Sequence, residues 1–164
     1  MKRVLVAGVG NLFLGDDGFG PAVARRLLAR PARAEVTIVD AGIRMLDLAY
    51  SLLDPFDLLV LIDATSRGSA PGTIYLLEPT LATNVHDADA HTMSLPSLFA
   101  TVARLGGRLP RTLLLGCEPA SLDEQLGLSE PVERAVPAAV VMLDELLQRE
   151  LPPILTNIAT TTGR

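Results

Sequence analysis

The stretch Val4-Leu5-Val6-Ala7-Gly8-Val9-Gly10-Asn11-Leu12-Phe13-Leu14-Gly15-Asp16-Asp17-Gly18-Phe19-Gly20-Pro21 decides the fold. Val4 to Ala7 is an apolar run short enough for a buried strand and too short for a helix. Gly8 and Gly10 turn the chain, and the acid pair Asp16-Asp17 follows between glycines. Pro21 suits a first helical turn, where its missing N–H is harmless. Phe19, Val23 and Leu27, with Ala24 and Leu28, then recur at helical spacing with arginines opposite. Strand, turn and helix in that order open a parallel α/β sheet, and the loop leaving the first strand's carboxyl end is where such sheets bind ligands. Two adjacent carboxylates placed there need a reason.

Outward from this stretch, Val36 to Val39 reads as a second strand ending in Asp40-Ala41-Gly42. A helix is predicted over 45–53, with Leu46, Ala49 and Leu53 on one face. Leu58 to Ile62 is the most apolar strand, hence the centre of the sheet, and it ends at Asp63. The segment from Asp63 to Thr73 is too short for a crossover helix, so Thr73 to Leu77 is expected to pair antiparallel, as a hairpin or an edge. A long loop, 78–90, carries His86, Asp87 and Asp89, and helical spacing resumes from about His91 to Leu105. A fifth strand covers 111–116. Ser129 reads as the N-cap of a last helix that runs to about Arg149 and bends at Pro137. The expectation is one α/β domain over residues 1–150, followed by a flexible tail at 151–164. Its form is a three-layer sandwich: a mostly parallel five-stranded sheet with one antiparallel strand and helices on both faces.

Composition narrows the function. With 164 residues, 49% hydrophobic and 20% charged, the chain can bury a substantial core and is not a disordered polymer. A net charge of −5 leaves no basic footprint for nucleic acid, and it hints at basic residues on whatever the chain docks. No long apolar span or cleavable leader is visible, so no membrane association and a cytoplasmic location are expected. The single cysteine, Cys117, suits a reducing compartment and reads as a buried structural thiol. A monomer is expected.

Acids stand at three strand ends: Asp16 and Asp17, Asp40, and Asp63. Parallel strands bring them to one edge of the sheet, and the loop holding His86 and His91 is long enough to reach that edge. Two carboxylates and an imidazole suit a borderline divalent ion such as Ni²⁺ or Zn²⁺. Bland readings compete: either acid of the pair can cap the helix, Asp63 can start a turn, and His91 can lead its own helix. The glycine loop offers Gly8 and Gly10 of a dinucleotide fingerprint, but its third position is Phe13, whose ring would obstruct a close helix–strand approach. Two acids beside a pyrophosphate would also repel it.

Taken with their spacing, Gly8-Val9-Gly10-Asn11 and Gly15-Asp16-Asp17-Gly18-Phe19-Gly20 resemble the [NiFe]-hydrogenase maturation endopeptidases. Further along, 59–64 with 70–73 resembles the family's central strand and hairpin. The run 91–95 resembles its helix-leading histidine, and 114–119 with 126–129 its last strand and final helix entry. The resemblance spans nearly the whole chain to about Arg149. It implies an endopeptidase that removes the C-terminal extension of a nickel-loaded [NiFe]-hydrogenase large-subunit precursor. It also implies that Asp17, Asp63 and His91 are the catalytic side chains and contact the Ni²⁺ carried by the substrate. Zn²⁺ or Cd²⁺ could substitute, and the isolated protein need hold no metal. Asp17 then becomes the metal contact and Asp16 a cap or supporting partner, while Asp40, Gly42 and Asp16 are candidate substrate contacts. Two departures, Asp40-Ala41-Gly42-Ile43 after the second strand and Ala88-Asp89-Ala90 before the histidine, fall where a substrate tail would dock, so they bear on which hydrogenase is processed. The competing readings are a hydrolase with its own zinc and a non-enzymatic nucleotide-binding module on the Gly8-Val9-Gly10 turn.

Overall fold

The computed structural model describes residues 1–79 and 95–152. Five strands form one sheet: β1 (Val4–Val9), β2 (Val36–Gly42), β3 (Leu58–Ala64), β4 (Ile74–Leu77) and β5 (Arg111–Cys117), in the order β2-β1-β3-β5-β4. Pairing is parallel throughout except between β4 and β5. β3 is the middle strand, and β4 is an antiparallel edge, as the short connection after Asp63 requires.

The helices are α1 (Phe19–Leu28), α2 (Met45–Ser51), α3 (Leu95–Arg104) and α4 (Glu130–Glu150), and a short 3-10 helix at Gly15–Gly18 precedes α1. Side chains alternate across a strand, and here the alternation divides two cores. Val4 and Val6, Leu58, Val60 and Ile62, with Leu113 and Leu115, pack with α1 and α4 on one face. Leu5, Ala7, Leu59 and Leu61 pack with α2 and α3 on the other. β1 and β3 are buried on both faces, which is why their sequences are continuously apolar rather than alternating.

Several faces differ from expectation. In α2 the buried residues are Leu48, Ala49 and then Leu52, while Leu46 and Leu53 are exposed. Leu28, the last residue of α1, is exposed too. α4 is, as expected, one helix with Pro137 inside it. Leu151, grouped with the tail by the sequence, is buried in the core beside Leu147, so the packed domain reaches past residue 150. Residues 153–164 lie outside the described residues.

The close helix–strand approach is made by glycine, but not at the fingerprint's third position. Phe13 is exposed in the loop and obstructs nothing. Instead Gly20, inside the first turn of α1, lies against both β1 and β3. A Cβ there would stand 2.2 Å from the Ile62 carbonyl oxygen and 2.3 Å from that of Val9. Gly8 meets the same turn from the strand side. α1 thus starts directly above the carboxyl ends of β1 and β3. Between these two strands the order of the sheet reverses, and connections leaving them diverge to opposite faces. That opens the crevice where ligands bind in open α/β sheets.

Candidate functional site

β1 leaves the sheet at Val9. Gly10 follows at φ +139°, where an added Cβ would collide with the Asp17 carbonyl oxygen. Its N–H donates to the Gly42 carbonyl at 3.0 Å, tying the loop to the end of β2. The Asn11 side-chain oxygen accepts from the Phe13 N–H at 2.9 Å, an Asx-type brace. The chain then pairs with Gln125, whose N–H donates to Phe13 O and whose carbonyl accepts from Gly15 N–H. The 3-10 helix that follows carries both acids.

Neighbouring residues on a helix of three residues per turn project about 120° apart. The two acids therefore part company. Asp17 is 6% exposed and accepts the Asn11 N–H at 2.7 Å. Asp16 is 1% exposed and turns the other way, into the loop after β5. One of its oxygens accepts from Ala120 N–H, Ser121 N–H and the Ser129 hydroxyl, and the other from Ser129 N–H, all at 2.7–3.1 Å. It does not cap the helix that carries it. Its burial also leaves no surface on which it could meet a substrate directly. Ser129 stands at the N-cap position of α4, yet its hydroxyl is given to Asp16 rather than to the helix.

Asp63 is the penultimate residue of β3, one beyond Ile62, whose register partner on β1 is Gly8. Its Oδ1 is buried and makes no hydrogen bond. Desolvation, then the Asp17 charge, push its pKa well above the usual carboxylate range, and the Ala64 N–H only partly offsets them. Asp17 and Asp63 are therefore close enough for the charge of one to oppose ionisation of the other. Asp40, level with Gly8 on β2, stands apart. Two strand spacings, about 10 Å, separate β2 from β3. The Asp40 carboxylate accepts from Arg25 Nε at 2.9 Å. Gly42 takes φ +54° beneath the Gly10 turn. His91, with His86, Asp87 and Asp89, lies outside the described residues, as does the 88–90 departure. Among the described residues, no three His, Cys, Asp or Glu side chains are grouped to hold a metal ion. An ion seated on Asp17 and Asp63 therefore needs a donor from elsewhere.

One acid at this edge escaped the sequence reading. Glu118 directly follows β5 and is 6% exposed. It accepts the Arg67 and Gly68 N–H groups and, at 2.6 Å, the Tyr75 hydroxyl. Burial works to raise its pKa, but the bonds from Tyr75, Arg67, Gly68 and Ser69 outweigh it and bring the value below normal. The signal was available: an acid at the end of an apolar strand is the rule that singled out Asp63. Because the folded state lowers the pKa, the stabilisation is complete above the unfolded value and is lost as pH falls through the folded one. Glu118→Gln should therefore lower the thermal midpoint by roughly 5 °C at pH 7 and by much less near pH 3. Calorimetry at both pH values checks this, and an equal loss at both would contradict it. Cys117, beside it, is buried with its pKa raised to about 11 by desolvation first, then by Asp16 and Glu118. It is an inert thiol.

The family model for hydrogenase maturation proteases matches residues 21–145. Over 143 residues the chain is 32% identical to the hydrogenase expression/formation protein HupD of Rhizobium leguminosarum bv. viciae, covering 84% of this chain and 70% of that one. It is 31% identical over 144 residues to the hydrogenase 2 maturation protease of Escherichia coli, covering 84% and 86%. Its fold matches the E. coli hydrogenase maturating endopeptidase HybD with a TM-score of 0.77 and 28% identity, across 90% of this chain and 93% of that one. A hydrogenase 2 maturation peptidase from a Thaumarchaeota archaeon matches with a TM-score of 0.69 and 34% identity, across 89% and 98%. No helix among the described residues is long and apolar enough to cross a membrane.

Proposed function

The chain belongs to the hydrogenase maturation protease family, and from that premise we propose that it removes the C-terminal extension of a [NiFe]-hydrogenase large-subunit precursor already loaded with nickel. One observation carries the proposal. Asp63, buried with an unpaired oxygen and repelled by Asp17 at the sheet's switch point, is arranged to receive a cation. A docked divalent ion would satisfy that oxygen and turn the repulsion into shared attraction. In this reading His91 completes the set with a nitrogen donor, and the precursor brings the metal.

The chemistry divides between cargo and protein. Nickel on the precursor acts as a Lewis acid toward the scissile carbonyl or activates a water, and either use needs the same three ligands. Asp17 and Asp63 hold the ion at the crevice and so hold the adjoining peptide in reach. An unloaded precursor brings no ion to satisfy the buried Asp63 oxygen, so it is held less well and is passed over. Zn²⁺ or Cd²⁺ can stand in for the ion in binding. Asp40 and Gly42, at the end of β2, are proposed to line the approach of the tail. The work is proposed to be done by a cytoplasmic monomer.

Trimming of a nickel-loaded precursor by purified protein tests the proposal. Asp17→Ala, Asp63→Ala and His91→Ala should each slow it by about 100-fold or more, a loss of roughly 3 kcal/mol of transition-state stabilisation, with the fold intact by circular dichroism. Normal trimming by all three variants would sink the assignment. Firmly bound, stoichiometric zinc in the purified protein would favour a resident-metal hydrolase instead.

A further inference from the structure

We infer that Asp16 is a positioning residue for the reaction: the latch that fixes the direction of Asp17 by locking the acid-bearing turn onto the loop between β5 and α4. The inference rests on the proposed role of Asp17. Four donors converge on the Asp16 carboxylate, three of them backbone or side-chain groups of Ser121 and Ser129 and the fourth the Ala120 N–H. Those donors lie over a hundred positions away in sequence, so the latch joins the first loop of the chain to the entry of its last helix. Backbone bonds from 15–16 to 121 and 125 extend the same seam, with Asp16 N–H donating to Ser121 O and Gly15 N–H to Gln125 O.

The geometry makes the latch directional. Asp16 and Asp17 are consecutive on one 3-10 turn, so an inward Asp16 obliges Asp17 to face another way, toward β3. Asp17 has a second restraint of its own, the Asn11 N–H on its Oδ2. The far side of the crevice is held by the same strand end. Glu118, two residues before Ala120, accepts from Arg67 and Gly68 in the chain that follows Asp63. A single short segment, 118–121, thus ties down the chain carrying each working acid. An ionised carboxylate suits the latch because acceptors carrying full charge make shorter and stronger bonds to N–H donors. An amide at position 16 would turn an NH₂ group against backbone N–H groups.

The test compares wild type with Asp16→Asn, Ser129→Ala and Ser129→Thr in two readouts. Hydrogen exchange at the Asn11 amide reports Asp17 directly, since Asp17 is its acceptor. Trimming kinetics report the consequence. In Asp16→Asn, Asn11 protection is expected to fall at least tenfold while β1 amides such as Val6 keep theirs. On the precursor, kcat should fall 10- to 100-fold with KM within about twofold. Ser129→Ala should show the same pattern at about threefold in each readout, and Ser129→Thr, which keeps the hydroxyl, should restore it. Unchanged Asn11 protection, or unchanged kcat, in a folded Asp16→Asn protein overturns the inference. So does a loss shared equally between Asn11 and the β1 amides, which would mean general loosening. If Asp16→Asn does not fold, Ser129→Ala decides by the same criteria. If wild type trims nothing, the proposed function falls, and the Asn11 result alone decides whether Asp16 orients Asp17.

Discussion

Asp63→Asn is expected to abolish trimming and, at the same time, to make the protein more stable. The wild-type carboxylate stands next to the last residue of β3 with Oδ1 buried and unpartnered, and with the Asp17 charge nearby. Burial first, and Asp17 second, raise its folded pKa above the unfolded one. For an acid shifted in that direction, stability is highest below the unfolded pKa and declines as pH rises toward the folded one. Above the unfolded pKa the fold therefore resists an ionisation that the unfolded chain makes freely. Asparagine removes that charge at nearly constant shape, so the gain comes from the lost ionisation penalty alone, since the amide still leaves a buried polar atom unpaired at a cost of about 1–3 kcal/mol. A rise in thermal midpoint of roughly 2–4 °C per kcal/mol follows for a domain of this size. Calorimetry at pH 4 and pH 7 checks the sign, because the advantage of the asparagine variant should grow with pH. Added Cd²⁺ should stabilise wild type and leave Asp63→Asn unmoved. A variant less stable than wild type at pH 7 would show that Asp63 is structural.

The sheet was readable because each strand is an apolar run with a turn signal at its end, and because chain length constrains connections. β4 could be called antiparallel from the shortness of the segment after Asp63 alone. Helix faces were less readable where apolar residues crowd both sides. In α2, Leu46-Ala49-Leu53 and Leu48-Ala49-Leu52 are equally good stripes, and the side that packs is set by tertiary contacts with β1, β3 and α3. Periodicity within seven residues holds no information about that. The same limit applies to Leu28, whose spacing is right but which is exposed at the last position of α1.

The site divides in the same way. Strand ends pointed to Asp63 and to the acid pair, since parallel topology brings them to one edge. The pair itself is symmetric in sequence, and only the resemblance told the two acids apart. What turns Asp16 inward is a loop around residues 120–129, and no local pattern announces a contact across a hundred residues. Asp40 shares the edge but not the crevice, because β1 lies between β2 and β3. Glu118 was missed because β5 was ended one residue early, at Gly116, so the acid after it was not seen as standing at a strand end.

Gly20→Ala should be strongly destabilising, against what helix propensity alone would suggest. Alanine is the better helix former by about 1 kcal/mol, and Gly20 lies in a helix with no positive φ, so conformation alone predicts a gain. The added carbon, however, would sit 2.2 Å from Ile62 O and 2.3 Å from Val9 O. Both are backbone atoms of the central strands, and neither can rotate away. α1 must lift off the sheet, which loosens Phe19, Val23 and Leu27 in the core they share with β1 and β3. Overpacking of this kind costs about 3 kcal/mol, seen as a fall in thermal midpoint of roughly 10 °C. Gly18→Ala is the contrast, because its nearest neighbour would be the flexible Leu12 side chain at 3.4 Å, and its φ is −73°. That variant should stay within about 0.5 kcal/mol of wild type. The two glycines are two residues apart on the same turn, so the comparison separates close packing from loop flexibility. Trimming should follow stability only in Gly20→Ala, since lifting α1 also carries the Asp17 turn away from the end of β3. If both variants keep wild-type stability, the approach of α1 to the sheet is not what sets the distance between the two acids.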